Sequence, residues 1–238
     1  MIRRTAGNGR RSARVRLLIA VAAPSLLIAV MGGCSSETEV HRQPVAEATV
    51  VPTSKAAVPE GWVVRRGPGF TLALPATWQP RPEAQRMAPK ASLEIGVPFT
   101  GQSTPPPVLL GFVEREQVGP LEIREMVLRA QLSAGLEGST IGKSQHVKVA
   151  GATDAVWFDV LYEDEGGTSV LGTPLKPCTF RYRELIVETP GLPKYGFRFA
   201  ATTTEFDVPL WQKVVDSITV TPGSTETSGQ ESSSASDE

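Results

Sequence analysis

Apolar residues recur at every second position in short segments along the middle of this chain, and this period constrains the fold more than any other feature. Phe70, Leu72 and Leu74 show it first, and Pro75 ends that segment. The period returns in residues 93–99, 147–149, 156–162, 180–187 and 195–199, and residues 108–113 form a continuous apolar run. Alternation predicts a half-buried strand, whereas a continuous run predicts a strand covered on both faces. We therefore predict a sheet.

One of these segments changes parity along its length. Phe180 and Tyr182 fall on one side of the strand, and Leu185 and Val187 fall on the other. A bulge near Arg183–Glu184 would bring the four side chains to one face. We therefore predict a bulged strand there, joined to the next strand by a proline-glycine turn.

A first helix, bounded by Pro120 and Gly135, carries two apolar faces. At helical spacing the larger stripe consists of Ile123, Met126, Val127, Ala130 and Ala134. We predict that this stripe faces the sheet. A second ridge lies almost opposite and consists of Leu121, Leu128 and Leu132. Either another chain segment covers this ridge, or it is a docking surface.

A second helix is predicted to begin near Asp207, a favourable N-cap residue. Its single apolar face consists of Leu210, Trp211, Val214, Val215 and Ile218. Because the opposite face is polar, we expect this helix to lie on the sheet with that apolar face inward.

The N-terminal segment has the order of a lipoprotein signal. Six arginines without an acidic residue precede the apolar run Leu17 to Met31, and Gly32 and Gly33 stand before Cys34. This order predicts cleavage before Cys34 and lipidation of its thiol, which would anchor the protein at the outer face of the plasma membrane. The alternatives are an ordinary secretory signal and a retained membrane helix, although a run of about 15 residues is shorter than the ~20 that span a bilayer.

Composition divides the chain into four parts. We predict a lipoprotein signal peptide at 1–33, a disordered tether at 34–60, one folded domain at 61–222 and a disordered, Ser-rich acidic tail at 223–238. Loss of the signal peptide removes six of the 24 basic residues and leaves 18 against 25 acidic ones, a net charge of −7. Nucleic acid is therefore not expected as a partner.

Residues with catalytic chemistry are scarce in the predicted domain. It contains one cysteine, Cys178, and one histidine, His146, with no motif around either of them. A Cys178–His146 dyad would make the protein an envelope hydrolase or transferase, which is the alternative to a binding domain. The sequence indicates no metal site and no cofactor.

Three arginines form the candidate binding residues. If residues 179–188 pair with 194–202 across the turn, Arg181 and Arg183 share a face and Arg198 lies diagonally across the ladder. Such a cluster could receive a carboxylate or phosphate. The alternative is a solvated face whose arginines pair with neighbouring glutamates.

The order of motifs resembles that of the PsbP/Mog1-like group, which includes the LpqN-type lipoproteins of actinomycetes. Phe70 to Trp78 looks like its opening strand and Pro-x-x-Trp corner, and the last strand, Phe206-Asp207 and the last helix are similar to its ending. The resemblance implies an α+β fold, an antiparallel β-sheet with helices packed on its faces in an α/β/α sandwich. It also implies a non-enzymatic binding or assembly factor and brings no catalytic residues. Our first hypothesis for the partner is a protein or a small amphiphile.

Overall fold

The structure is a computed structural model that describes residues 58–83, 86–116, 119–169 and 171–222. The predicted signal peptide, Cys34, nearly all of the tether and the predicted tail lie outside the described residues. In chain order the elements are β1 Trp62–Gly67, β2 Phe70–Pro75, β3 Gln79–Pro80, β4 Leu93–Gly96, β5 Val108–Glu114, α1 Leu121–Gly135, β6 Thr140–Ile141, β7 Gln145–His146, β8 Asp154–Asp164, β9 Gly167–Thr168, β10 Pro174–Leu175, β11 Cys178–Glu188, β12 Lys194–Thr202, α2 Val208–Ser217 and β13 Thr219–Val220.

One large antiparallel sheet organises the fold. Its strands follow the order β3-β4-β5-β12-β11-β8-β6, and β7 also pairs with β8. A smaller sheet has the order β1-β2-β13, and β9 and β10 form a short hairpin. The predicted hairpin of β11 and β12 is confirmed, with Phe180 opposite Thr202 and Val187 opposite Tyr195.

Both faces of the large sheet are covered. The small sheet and α2 cover one face, where Leu72, Phe197 and Trp211 share a hydrophobic cluster. Helix α1 covers the other face, where Leu132 and Phe158 belong to a second cluster. The α+β class with helices on both faces of an antiparallel sheet agrees with the sequence prediction.

Strand β11 contains no bulge, contrary to the prediction. Its register against β8 is unbroken from Cys178 opposite Asp164 to Glu188 opposite Asp154. The change of parity has a different cause: Phe180 and Tyr182 lie in the cluster under α1, whereas Leu185 and Val187 lie in the cluster under α2. A strand covered on both faces can be apolar at either parity without bending.

Helix α2 confirms its prediction in detail. The Asp207 carboxylate accepts a hydrogen bond from the Leu210 N–H at 2.9 Å, as an N-cap does. Trp211, Val214 and Val215 are buried, and Ile218, just beyond the helix, is buried as well. Gln212, Lys213 and Asp216 are exposed on the opposite side, so one apolar stripe was sufficient to orient the helix.

Helix α1 lies the other way round from the prediction. The ridge of Leu121, Leu128 and Leu132 packs against the sheet, and Leu132 is only 7% exposed. The stripe expected to face the sheet is exposed instead, with Met126 at 58%. The three leucines proposed as a docking ridge are therefore covered by this chain's own sheet.

Arg124 accounts for much of this orientation. It is buried on the inward side of α1, and its guanidinium donates to the carbonyl oxygens of Val187 at 3.1 Å and Tyr195 at 3.2 Å. It also forms salt bridges with Glu114 at 2.8 Å and Glu188 at 3.2 Å. These contacts tie the start of α1 to the ends of β5, β11 and β12. Because these contacts satisfy its guanidinium, Arg124 can be buried although it is charged. Apolar periodicity does not predict a buried arginine.

Candidate arginine and aromatic binding site

The sheet places an acidic residue of β8 directly opposite one of the predicted arginines. Asp159 is the register partner of Arg183, and Leu161 is the register partner of Arg181. Both pairs lie on the face that α2 partly covers, because side chains of one parity share a face. We name the group formed by Trp157, Asp159, Arg181, Arg183 and Phe206 the arginine–aromatic site.

Asp159 holds both arginines in place. Its Oδ1 accepts from Arg183 Nε at 2.6 Å, and its Oδ2 accepts from Arg183 Nη2 at 2.8 Å and from Arg181 Nη2 at 2.5 Å. Arg183 thus makes a two-bond contact with the carboxylate, the geometry for which a guanidinium is suited. Its side chain is only 6% exposed, whereas that of Arg181 is 28% exposed.

Two aromatic rings complete the arrangement. The Arg183 guanidinium carbon lies 3.5 Å from the centre of the Trp157 ring, and that of Arg181 lies 4.4 Å from the centre of the Phe206 ring. Phe206 also contacts Phe199 of the core, with ring centres 4.8 Å apart. The rings therefore position the guanidinium groups by cation–π contact as well as by packing.

Several donors of the site have no protein partner among the described residues. Arg183 Nη1 and Trp157 Nε1 are buried without a hydrogen bond. Arg181 uses only Nη2 for Asp159, so its Nε and Nη1 are available on the more exposed side chain. A surplus of N–H donors is suited to an oxygen acceptor.

The charge of the site comes from the Asp159 carboxylate and the guanidinium groups of Arg181 and Arg183. Burial by itself raises the pKa of Asp159, but the hydrogen bonds and charges of Arg183 and Arg181 outweigh it and bring that pKa below the ordinary value of 3.8. Asp159 is therefore ionised at neutral pH. With two arginines beside it, the site has a net charge of +1.

Arg198 does not join this cluster, which corrects the predicted arginine face. Its register partner on β11 is Glu184, next to Arg183 in sequence, so the Arg198 side chain emerges on the opposite face, under α1. Arg198 Nε donates to the Glu184 carboxylate, and both side chains are 5% exposed. Burial raises the pKa of Glu184 even though Arg198 opposes the shift.

The structure also separates Cys178 from His146. Cys178 pairs with Asp164 and His146 pairs with Val156, eight residues apart on the same strand β8. That spacing corresponds to roughly 26 Å along the strand. The two side chains cannot act together on one substrate, so the proposed catalytic dyad is wrong. His146 is exposed and contacts Asp154 instead, at 3.0 Å.

Two further findings concern the part of the chain that the structure describes. No group of three or more His, Cys, Asp or Glu side chains there is placed to hold a metal ion. Within the same residues, no helix has the length and apolar character needed to cross a membrane.

Sequence reasoning found Arg181 and Arg183 but missed Asp159, Trp157 and Phe206 as members of the site. A signal for the first two was present in the alternation of β8, which puts Trp157, Asp159 and Leu161 on one side of the strand. The pairing of β8 with β11 brings that side next to the arginines. The β9–β10 hairpin separates β8 from β11 in the chain, so no short turn in the sequence indicates that they pair.

Comparison with known proteins places this chain in no family. No family model and no curated protein matches it. Among solved structures, protein PA94 of Pseudomonas aeruginosa, whose function is unknown, shares 15% identity over 69% of this chain and 99% of its own, with a TM-score of 0.42. LpqN, involved in cell envelope biogenesis of Mycobacterium tuberculosis, shares 16% identity over 64% of this chain and 83% of its own, with a TM-score of 0.45.

Proposed function

We propose that this protein is a non-enzymatic binding domain held by a lipid anchor at the outer face of the plasma membrane. The observation that supports binding is the arginine–aromatic site, where the half-buried Arg181 and the buried Arg183 keep N–H donors without a protein partner among the described residues. The anchor is inferred from the order of residues up to Cys34. The partner carries an anionic group that Arg181 receives.

The geometry of the described residues favours binding over catalysis. An enzyme of the predicted alternative type needs a nucleophile and a base within hydrogen-bond reach. Cys178 and His146 lie far apart on β8, and burial raises the pKa of the Cys178 thiol, which disfavours the reactive thiolate. The arginine–aromatic site itself offers hydrogen-bond donors and positive charge, and its one carboxylate, Asp159, is held by both arginines.

Changing Cys34 to Ala is expected to leave the precursor uncleaved and without lipid. Two acyl chains hold a protein on a bilayer, each buried methylene contributing roughly 0.8 kcal/mol. Mass spectrometry of the purified protein and detergent partitioning would measure this. Cys178→Ala is the matched control, and it should be processed as the wild type is. A Cys34→Ala protein that is cleaved and partitions like the wild type would refute the anchor.

Binding is tested by photocrosslinking in intact cells. A photoreactive residue in place of Gln145, which is exposed opposite Trp157, reports what occupies the site. We expect an adduct in the wild-type background and a several-fold weaker one with Arg181→Gln, because the half-buried Arg181 guanidinium supplies the charge. Arg66→Gln, at an exposed position of β1, should leave the adduct unchanged. Equal adducts with Arg181→Gln and wild type would mean that the site does not bind.

Arg181 is the appropriate residue for this test and Arg183 is not. Arg183 is buried against Trp157 and Asp159, so its removal would leave the Asp159 carboxylate poorly paired and affect folding as well as binding. Arg181 is more exposed and can be changed with a smaller effect on stability.

A further inference from the structure

We propose that the arginine–aromatic site takes a singly charged amphiphile, in which one carboxylate or similar oxyanion is attached to an aliphatic chain. The inference rests on the proposed binding function and narrows the partner to a chemical class. It follows from four features of the site: the orientation of the guanidinium groups, an exposed leucine beside them, a glycine that leaves space, and an exposed glutamate on the same side of β8.

The guanidinium groups determine which part of a ligand can bind. Arg183 lies over the face of Trp157, and Arg181 lies over the face of Phe206, so these ring faces are already occupied. A ligand therefore meets the edge of the Arg181 guanidinium, where Nε and Nη1 have no protein partner among the described residues. An oxyanion is the group that accepts such donors most strongly.

An exposed apolar side chain lies beside Arg181 in the sheet. Leu161 is directly opposite Arg181 in the register of β8 and β11, and it is 40% exposed. Directly paired residues of an antiparallel ladder have Cβ atoms roughly 5 Å apart. We therefore place the oxyanion and the apolar part of the ligand close together in one molecule, as they are in a fatty acid.

A glycine leaves room next to the paired charges. The N–H of Gly142 donates to the Asp159 carbonyl oxygen at 2.8 Å, which puts this glycine beside Asp159 at the sheet edge. A Cβ added at Gly142 would lie 3.8 Å from the Asp159 Cβ, an ordinary contact. A larger side chain there would extend over the site, so the glycine keeps this approach open.

The surrounding charge limits the ligand to a single negative charge. The site has a net charge of +1, but the exposed Glu163 follows Leu161 on the same side of β8 as Asp159. A partner with several acidic groups would bring like charges together. A ligand with one oxyanion on an aliphatic chain brings a single negative charge, which lies against Arg181. Such a ligand is therefore favoured over an acidic peptide.

Calorimetric titration with octanoate tests the inference on the full mature chain held in phosphatidylcholine nanodiscs, with empty discs subtracted. We expect wild type to bind octanoate and Arg181→Gln to bind it about tenfold more weakly. Leu161→Ser should weaken it several-fold, and Gly142→Leu should weaken it without any change of charge. Arg66→Gln is the control with unchanged affinity. Thermal midpoints measured for every variant would show that folding survives.

Three results would overturn the inference. They are octanoate binding that is absent or unaffected by Arg181→Gln, acetate or octylammonium bound as tightly as octanoate, and tighter binding of a tetraglutamate peptide. Discs that contain phosphatidylglycerol separate two sources of the same chemistry: competition with octanoate would identify a bilayer lipid, and no competition a free amphiphile. If octanoate does not bind while the crosslink from position 145 still depends on Arg181, the proposed function stands and only the ligand class is wrong.

Discussion

Replacing Arg198 by Met is expected to lower the free energy of unfolding by about 3–5 kcal/mol, because it leaves the Glu184 carboxylate buried without its partner. Both side chains are 5% exposed, beneath α1, and Arg198 also lies over the Tyr182 ring at 5.5 Å. Urea denaturation of the two proteins would measure the difference.

The double variant Glu184→Leu/Arg198→Met is the matched control. Removing both charges also removes the cost of desolvating them, so this protein should lie within about 1–2 kcal/mol of wild type. If the double variant lost as much stability as the single one, packing around Arg198 and not its charge would be responsible.

The single Arg198→Met variant should also respond to pH. The folded-state pKa of Glu184 is already above the ordinary value of 4.5, because burial outweighs the opposing effect of Arg198. Loss of Arg198 removes that opposition. A group with a raised folded pKa loses its contribution as the pH rises through that value, so the variant should regain stability relative to wild type as the pH is lowered from 7.5 toward 4.5.

Truncation of Leu132 to Ala is expected to cost about 2–4 kcal/mol, while the same truncation of Met126 should cost less than about 0.5 kcal/mol. The two residues lie on one helix, but Leu132 packs against the sheet and Met126 is exposed. Denaturant midpoints of the two variants compare the faces of α1 directly. A larger loss for Met126→Ala would restore the orientation predicted from the sequence and contradict the structure.

These variants address places where local pattern and tertiary structure disagree. The sequence was sufficient for most strands and for α2, because each depends on periodicity within a few residues. Phe70, Leu72 and Leu74 could be assigned to one strand, and Asp207 to the start of a helix, without knowledge of any distant residue.

The sequence was not sufficient where two faces were both apolar. Helix α1 has a wider outer stripe than its leucine ridge, and the contacts that Arg124 makes with β5, β11 and β12 favour the ridge as the inward side. In β11 the apolar residues move from even to odd positions, which suggested a bulge. This change is instead explained by the coverage of both faces of the strand. Periodicity reports that a face is apolar, and it cannot report what lies against that face.

The candidate site divides in the same way. The sequence by itself determined that Arg181 and Arg183 share one side of a strand, because that follows from the two-residue period. Only the tertiary structure decided that Asp159 joins them and that Arg198 lies on the other face with Glu184. It also separated His146 from Cys178. Strand order and register are set by contacts between residues far apart in sequence, and a shift of one residue in register moves a side chain to the opposite face of the sheet.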